Sequence, residues 1–231
     1  MRARAKLTLS LRITGVRSDG FHLLDAEMVT IDLADDLTFS DGDELTVAGP
    51  AGRDVPVGED NLIRRALLAV QRKASVHVVK RIPAGAGLGG GSADAAAVLR
   101  WAGCTDLGVA AALGADVPFC LVGGRARVTG IGETVGPLPW VPDVYTLSIP
   151  PFGVSTADVY RAWDELGGPT GESSNDLEPA ALIVEPRLAG WRDTLADATG
   201  ETPILAGSGS TWFVAGAYPG PGRAVVRAEK D

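Results

Sequence analysis

The chain is poor in the groups that staple or metallate small proteins: its 231 residues include two cysteines, Cys104 and Cys120, and two histidines, His22 and His77. Two cysteines close at most one disulfide, which argues against a disulfide-framed secreted domain and fits a reducing, cytoplasmic setting. No apolar run approaches the ~18 residues of a membrane-crossing helix. The start, Met1-Arg2-Ala3-Arg4-Ala5-Lys6, leads into alternating residues rather than an apolar block, so no secretory leader is expected. Excess positive charge is missing too. A net charge of −8 argues against nucleic acid and anionic membrane as main partners, and an anionic substrate must then find local positive groups. There is no internal repeat and no low-complexity tract.

What is present reads as a globular chain, 45% hydrophobic and 22% charged, long enough for one large domain or two small ones. Its 30 glycines and 15 prolines are dispersed among apolar runs, which speaks against disorder. Period-two alternation and turn residues predict strands over residues 6–13, 21–33, 37–39, 44–47, 76–82, 144–149, 203–206 and 211–215. Helices are expected over 60–73, capped by Asp60 or Asn61, and over 92–101, 109–113 and 187–198. The polar tract 167–174 reads as a boundary or mobile loop. Strands and helices alternate in the manner of an α+β fold.

Gly85, Gly87, Gly89, Gly90 and Gly91 fall within seven residues, after the strand at 76–82 and before an alanine-rich helix. Glycine lets backbone N–H groups approach a ligand closely, and the helix start aims its unpaired N–H groups and positive dipole end at the same spot. That combination is an anion site, most often for phosphate. The nucleoside-triphosphatase loop requires a lysine after the glycines, and none is there. A dinucleotide fingerprint is matched formally by Gly85, Gly87 and Gly90 with Asp106 about 20 residues on. However, Pro83-Ala84 separates the strand from the first glycine, and Asp106 does not end a second apolar strand.

Further segments, in order along the chain, carry a resemblance. Ala5-Lys6-Leu7-Thr8-Leu9, Arg17-Ser18-Asp19-Gly20-Phe21-His22, residues 83–96, Leu113-Gly114-Ala115-Asp116-Val117-Pro118 and Ala206-Gly207-Ser208-Gly209-Ser210 resemble the GHMP kinase superfamily. Within it they are most similar to the members of the non-mevalonate isoprenoid pathway, whose acceptor alcohol carries a cytidine diphosphate. The resemblance implies an α+β, two-lobed GHMP kinase fold. An N-terminal lobe over 1–140, like domain 2 of ribosomal protein S5, carries a left-handed βαβ unit around the ATP phosphate loop. A shortened C-terminal lobe spans 141–231, and the active site lies between them. The implied chemistry is transfer of the ATP γ-phosphoryl to an acceptor hydroxyl, with Mg²⁺ and no covalent intermediate.

The resemblance also implies roles. Asp116 is the general base or orienter of the hydroxyl, and Lys6 its cationic partner. Pro83, Gly85, Gly87, Leu88, Gly89, Gly90, Gly91 and Ser92 form the phosphate loop, with Asn61, Leu62 and Lys80 on the adenine side. Phe21 and His22 lie on the cytidine side, and Thr8, Gly207, Ser208 and Gly209 near the acceptor. Thr8 stands where the family carries asparagine. No residue is assigned as a dedicated metal ligand, and the sequence does not choose between monomer and homodimer.

By the residues alone, Lys6 is equally an edge lysine, Ser92 a plain helix cap and Asp94 a complement to the helix dipole. The tract Ser174-Asn175-Asp176 reads as a substrate-side loop or, in preference, a helix cap, and His77 as structural. Rival functions are a kinase for another alcohol such as homoserine or mevalonate, a nucleotide-binding homologue without turnover, and a dinucleotide-dependent oxidoreductase.

Overall fold

The computed structural model describes residues 1–53, 55–169 and 173–230. Two long strands, β1 (Arg2–Val16) and β2 (His22–Ser40), form an antiparallel hairpin joined by the turn at 17–21. β2 also pairs with β4 (Ser75–Val79) and β5 (Arg125–Gly130). β3 (Leu45–Ala48) and β6 (Thr134–Pro137) complete a six-stranded sheet. β3 runs parallel to β4, with α1 (Leu62–Ala69) between them in sequence, and is the one parallel pairing among the described ladders.

Helix α2 (Gly90–Trp101) lies against this sheet as its central core element. Every residue from Ala93 to Leu99 is buried, and the small alanines allow it close approach to β1 and β2. Two short helices follow, α3 (Leu107–Leu113) and α4 (Val117–Val122). A second, four-stranded antiparallel sheet has the order β10–β7–β9–β8, from β7 (Val144–Ser148), β8 (Ile204–Leu205), β9 (Trp212–Ala215) and β10 (Arg223–Arg227). With it go α5 (Thr156–Glu165), α6 (Glu178–Val184) and α7 (Leu188–Thr199).

Several expectations are corrected. The strands at 21–33 and 37–39 are one strand, because the pairing with β1 continues through Ala34–Asp36 and that with β4 begins at Asp36. The strand expected to reach Ile82 stops at Val79, since the Arg81 and Ile82 N–H groups donate to the Asp35 carboxylate instead of a neighbouring strand. α2 starts at Gly90, so its cap is Gly89 in the left-handed region rather than Ser92. Asp106 caps α3 by accepting from Gly108 and Val109 N–H groups, which gives it a local role in place of a ribose contact. A mostly antiparallel sheet also removes the dinucleotide reading, which needs a doubly wound parallel one. Of the tract 167–174, residues 170–172 lie outside the described residues.

Candidate active site

Backbone geometry explains the glycine loop. Gly85, Gly87 and Gly89 all have φ between 67° and 75°, where an L side chain is strained. A Cβ on Gly87 would stand 2.1 Å from the Ala206 carbonyl oxygen, so only glycine admits the second glycine turn at that distance. The two turns are tied directly. The Gly85 carbonyl accepts from Ser210 and Val154 N–H groups, and the Ala86 carbonyl from Thr211 N–H. No side chain caps α2, leaving its first-turn N–H groups for a ligand. Gly91 is exposed there, and Ser92 is half-buried in the same turn. Leu62 lies beside them, 3.4 Å from where a Gly91 Cβ would be.

Lys6 reaches this loop from β1. Its backbone N–H donates to the Leu88 carbonyl at 3.1 Å, and a Cβ on Gly89 would meet its Cγ at 2.9 Å. The side chain is only 6% exposed, yet its ammonium stands 3.5 Å from Asp116 Oδ2 and donates to Thr8 Oγ1 at 3.0 Å. A buried ammonium needs partners, and these two supply them. Asp116 precedes α4 but makes no capping hydrogen bond with its side chain, so the carboxylate is not used up by the helix. It remains one-third exposed. Burial, with the Asp116 charge beside it, pushes the Cys120 thiol up to about 12, and the same two causes raise the Tyr160 hydroxyl.

The second glycine turn approaches the same lysine. A Cβ on Gly207 would lie 3.4 Å from Lys6 Nζ and 3.8 Å from Thr8 Oγ1. Ser208 is tied to Thr156 at the start of α5 by a 2.8 Å hydroxyl–hydroxyl bond, and the Gly209 N–H donates to the Ala206 carbonyl. Asn175, expected as a helix cap, is fully buried and bonds three ways. Its amide nitrogen donates to the Leu205 and Gly207 carbonyls, and its oxygen accepts from Leu177 N–H. Asp176 accepts from Ile13 N–H and Arg12 on β1. That tract therefore fastens the Gly207 turn to the strand carrying Lys6.

At the other end of the hairpin, Phe21 is 55% exposed, with the Arg17 guanidinium over its ring. His22 is instead packed away. Its Nε2 bonds Asp164 Oδ1 at 2.8 Å, and its ring lies 4.8 Å from Tyr160 and 5.4 Å from Trp163. Tyr160, Trp163 and Asp164 all belong to α5 and were not foreseen. Their signal was Ser155 three residues before Asp158, a capping pattern ahead of Val159, Tyr160 and Trp163, and the Ser155 hydroxyl does accept from Asp158 N–H.

Two residues expected on the adenine side have side chains committed to internal bonds. Asn61 caps α1, its oxygen accepting from Ile63 N–H and its nitrogen donating to the Pro56 carbonyl. Lys80 is buried, its ammonium paired with Asp35 and, at 2.6 Å, with Asp94. That pairing assigns its charge to the protein interior rather than to a nucleotide. Asp94 is no surface complement to the helix dipole either. Burial pushes its carboxyl up to about 7, with Lys80 pulling it back and Asp35 adding to the rise.

The comparisons with known proteins point the same way. Residues 61–124, which hold α1, the loop, α2 and Asp116, match the model of the GHMP kinases N terminal domain. The 4-diphosphocytidyl-2-C-methyl-D-erythritol kinase of Paracoccus denitrificans is 37% identical, over 91% of this chain and 84% of its own. That of Ruegeria pomeroyi is 36% identical, over 99% and 91%. The chain belongs to the 4-diphosphocytidyl-2-C-methyl-D-erythritol kinase family. A crystal structure of a 4-(cytidine 5′-diphospho)-2C-methyl-D-erythritol kinase superposes with a TM-score of 0.75 at 29% identity, covering 99% of this chain and all of the other. The homoserine kinase from Cytophaga hutchinsonii shares the fold, at a TM-score of 0.63 and 19% identity. The two-lobed α+β kinase fold and a phosphotransferase activity follow from this membership. Among the described residues no helix is long and apolar enough to cross a membrane.

Proposed function

We propose that this chain transfers the γ-phosphoryl group of ATP to the 2-hydroxyl of 4-diphosphocytidyl-2-C-methyl-D-erythritol. One observation carries the reading: a buried lysine and a partly exposed aspartate, 3.5 Å apart, stand where both glycine turns meet. The acceptor hydroxyl oxygen attacks the γ-phosphorus, the bond to the bridging β–γ oxygen breaks, and ADP leaves. Asp116 orients the hydroxyl and takes its proton, while Lys6 pairs with that carboxylate and faces the charge on the moving phosphoryl group. The Thr8 hydroxyl accepts from Lys6 and so holds the ammonium in line.

The residues 83–92 cradle the phosphates, with Leu62 on the adenine side. Phe21 offers a stacking face to the cytosine, and the edge beside His22 and Tyr160 completes that side. The lobes on this reading divide at 140/141. A magnesium ion brought in with the phosphates would neutralise their charge. Such an ion keeps several waters and asks the protein for one or two oxygens, and the half-buried Ser92 hydroxyl in the first turn of α2 would fit as one of them.

The test is an ADP-release assay over four acceptors: the cytidine substrate, its uridine analogue, homoserine and mevalonate. Turnover with the cytidine substrate, and poor use of the uridine analogue, supports the reading. Equal use of both nucleotides favours a simpler alcohol kinase, and ATP binding with no turnover favours a homologue that only binds.

A further inference from the structure

The buried trio Asp35, Lys80 and Asp94 serves none of the steps above, yet it brackets the phosphate loop. Lys80 and Ile82 lie at the entrance, where the chain leaves β4. Asp94 lies at the exit, one turn into α2. Asp35 on β2 fixes the entrance by accepting from Arg81 and Ile82 N–H groups as well as from Lys80. Lys80 then reaches across to Asp94. Gly90 and Asp94, four residues apart, share one face of α2. On that face a Cβ at Gly90 would press on Ile82 Cγ2 at 2.9 Å. The helix is thus held by a steric stop at its first residue and an ionic tie one turn later.

Stability alone does not ask for this arrangement. Asp94 is the one charged residue in a buried run otherwise built of Ala93, Ala95, Ala96, Ala97, Val98 and Leu99. Its second oxygen, Oδ1, is buried with no hydrogen-bond partner. Lys80 is already paired with Asp35, so Asp94 adds a second buried carboxyl with one oxygen unpartnered, a cost that a well-packed apolar side chain would spare the fold. The tie it makes is what distinguishes it from alanine.

We propose that Asp94 is a positioning residue: through Lys80 it sets the angle between the first turn of α2 and the loop entrance, and so the shape of the phosphate cradle. The inference rests on the kinase reading for its kinetic readout. Its effect belongs to nucleotide binding, because the loop and helix start contact phosphates, whereas Lys6 on β1 and Asp116 before α4 make no bond to Lys80 or Asp94.

The experiment compares the full chain with its Asp94→Ala and Asp94→Asn variants, measuring KM for ATP, KM for the acceptor, kcat, affinity for a non-hydrolysable ATP analogue, and Tm. Asp94→Ala leaves Lys80 with Asp35 as partner. It should raise the KM for ATP about 10-fold and weaken the analogue similarly, with kcat and acceptor KM within about 2-fold. The asparagine oxygen can accept the same Lys80 bond, so Asp94→Asn should recover ATP affinity to within about 3-fold. An unchanged KM for ATP in a folded alanine variant overturns the proposal. So does an alanine variant that loses all parameters together, or that does not fold, since either marks a purely structural role. If the unmodified protein binds the analogue but phosphorylates no acceptor, the kinase reading has failed, and the analogue titration still decides the tie.

Discussion

A lysine–aspartate pair and a lysine held by two aspartates flank one glycine loop, and they are built differently. Lys6 and Asp116 stand 3.5 Å apart with the carboxylate one-third exposed, a spacing that leaves room for a third group. Lys80 sits between Asp35 and Asp94 at close hydrogen-bond range, with both carboxylates almost wholly shut from water. The first pair can meet a substrate, and the second can meet nothing but the protein. Residue type alone does not separate a reacting pair from a holding pair. Exposure and the number of partners do.

The largest expected break falls on the open pair. Lys6→Ala should lower kcat by about 10²-fold or more while the ATP analogue still binds, because the ammonium acts on the moving phosphoryl group. Combining it with Asp116→Asn should add little, since both serve one transferring group, and steady-state rates of the single and double variants check this.

The loop between the pairs comes next. Gly89 and Gly90 are poor probes of phosphate binding, because a Cβ there strikes Lys6 or Ile82 at 2.9 Å and disturbs the packing. Gly91 is the informative position. Its Cβ would meet only Leu62, so Gly91→Val should keep the fold and weaken the ATP analogue about 10-fold by covering the helix start. Titration with the analogue, alongside Tm, measures both effects.

On the acceptor side, Phe21→Ala should raise the KM for the cytidine substrate about 10-fold with kcat little changed, as expected for lost base stacking. The uridine analogue should lose equally, because a ring face does not tell the two bases apart.

The holding pair should show itself mainly through pH. The Asp94 carboxyl, raised to about 7 in the fold, keeps a proton that the unfolded chain sheds near pH ~4. Its contribution to stability is therefore full below about pH 4 and is lost as pH rises toward 7. Denaturant midpoints at pH 5 and pH 8 should differ less in Asp94→Asn than in the unmodified protein.

Much of the open pair's setting was legible in the residues. The alternation around Lys6, the five glycines, the alanine run after them and Asp116 before Pro118 each depend on local pattern, and the structure brings them together. The burial and pairing of the Lys80 ammonium were not legible, because its partner Asp35 comes from elsewhere in the chain. Asp35 reaches it through the register that pairs Asp36 with Val79, a fact of strand pairing 43 residues apart in sequence that no local spacing encodes. The α5 aromatics were missed for a related reason: the capping signal at Ser155 was present, but packing of Tyr160 and Trp163 on His22 depends on how the two sheets meet. Asp176 looked like a cap and is instead a strut to β1, because a buried carboxylate takes the backbone N–H nearest in space rather than in sequence.

The central claim is that the open pair performs the transfer, and single-turnover phosphorylation by Asp116→Asn tests it most directly. With ATP and the cytidine substrate both saturating, the account predicts a rate lower by about 10²-fold or more, with each ligand bound within about 3-fold of its normal affinity. A folded Asp116→Asn variant that transfers phosphate at the unmodified rate would contradict it.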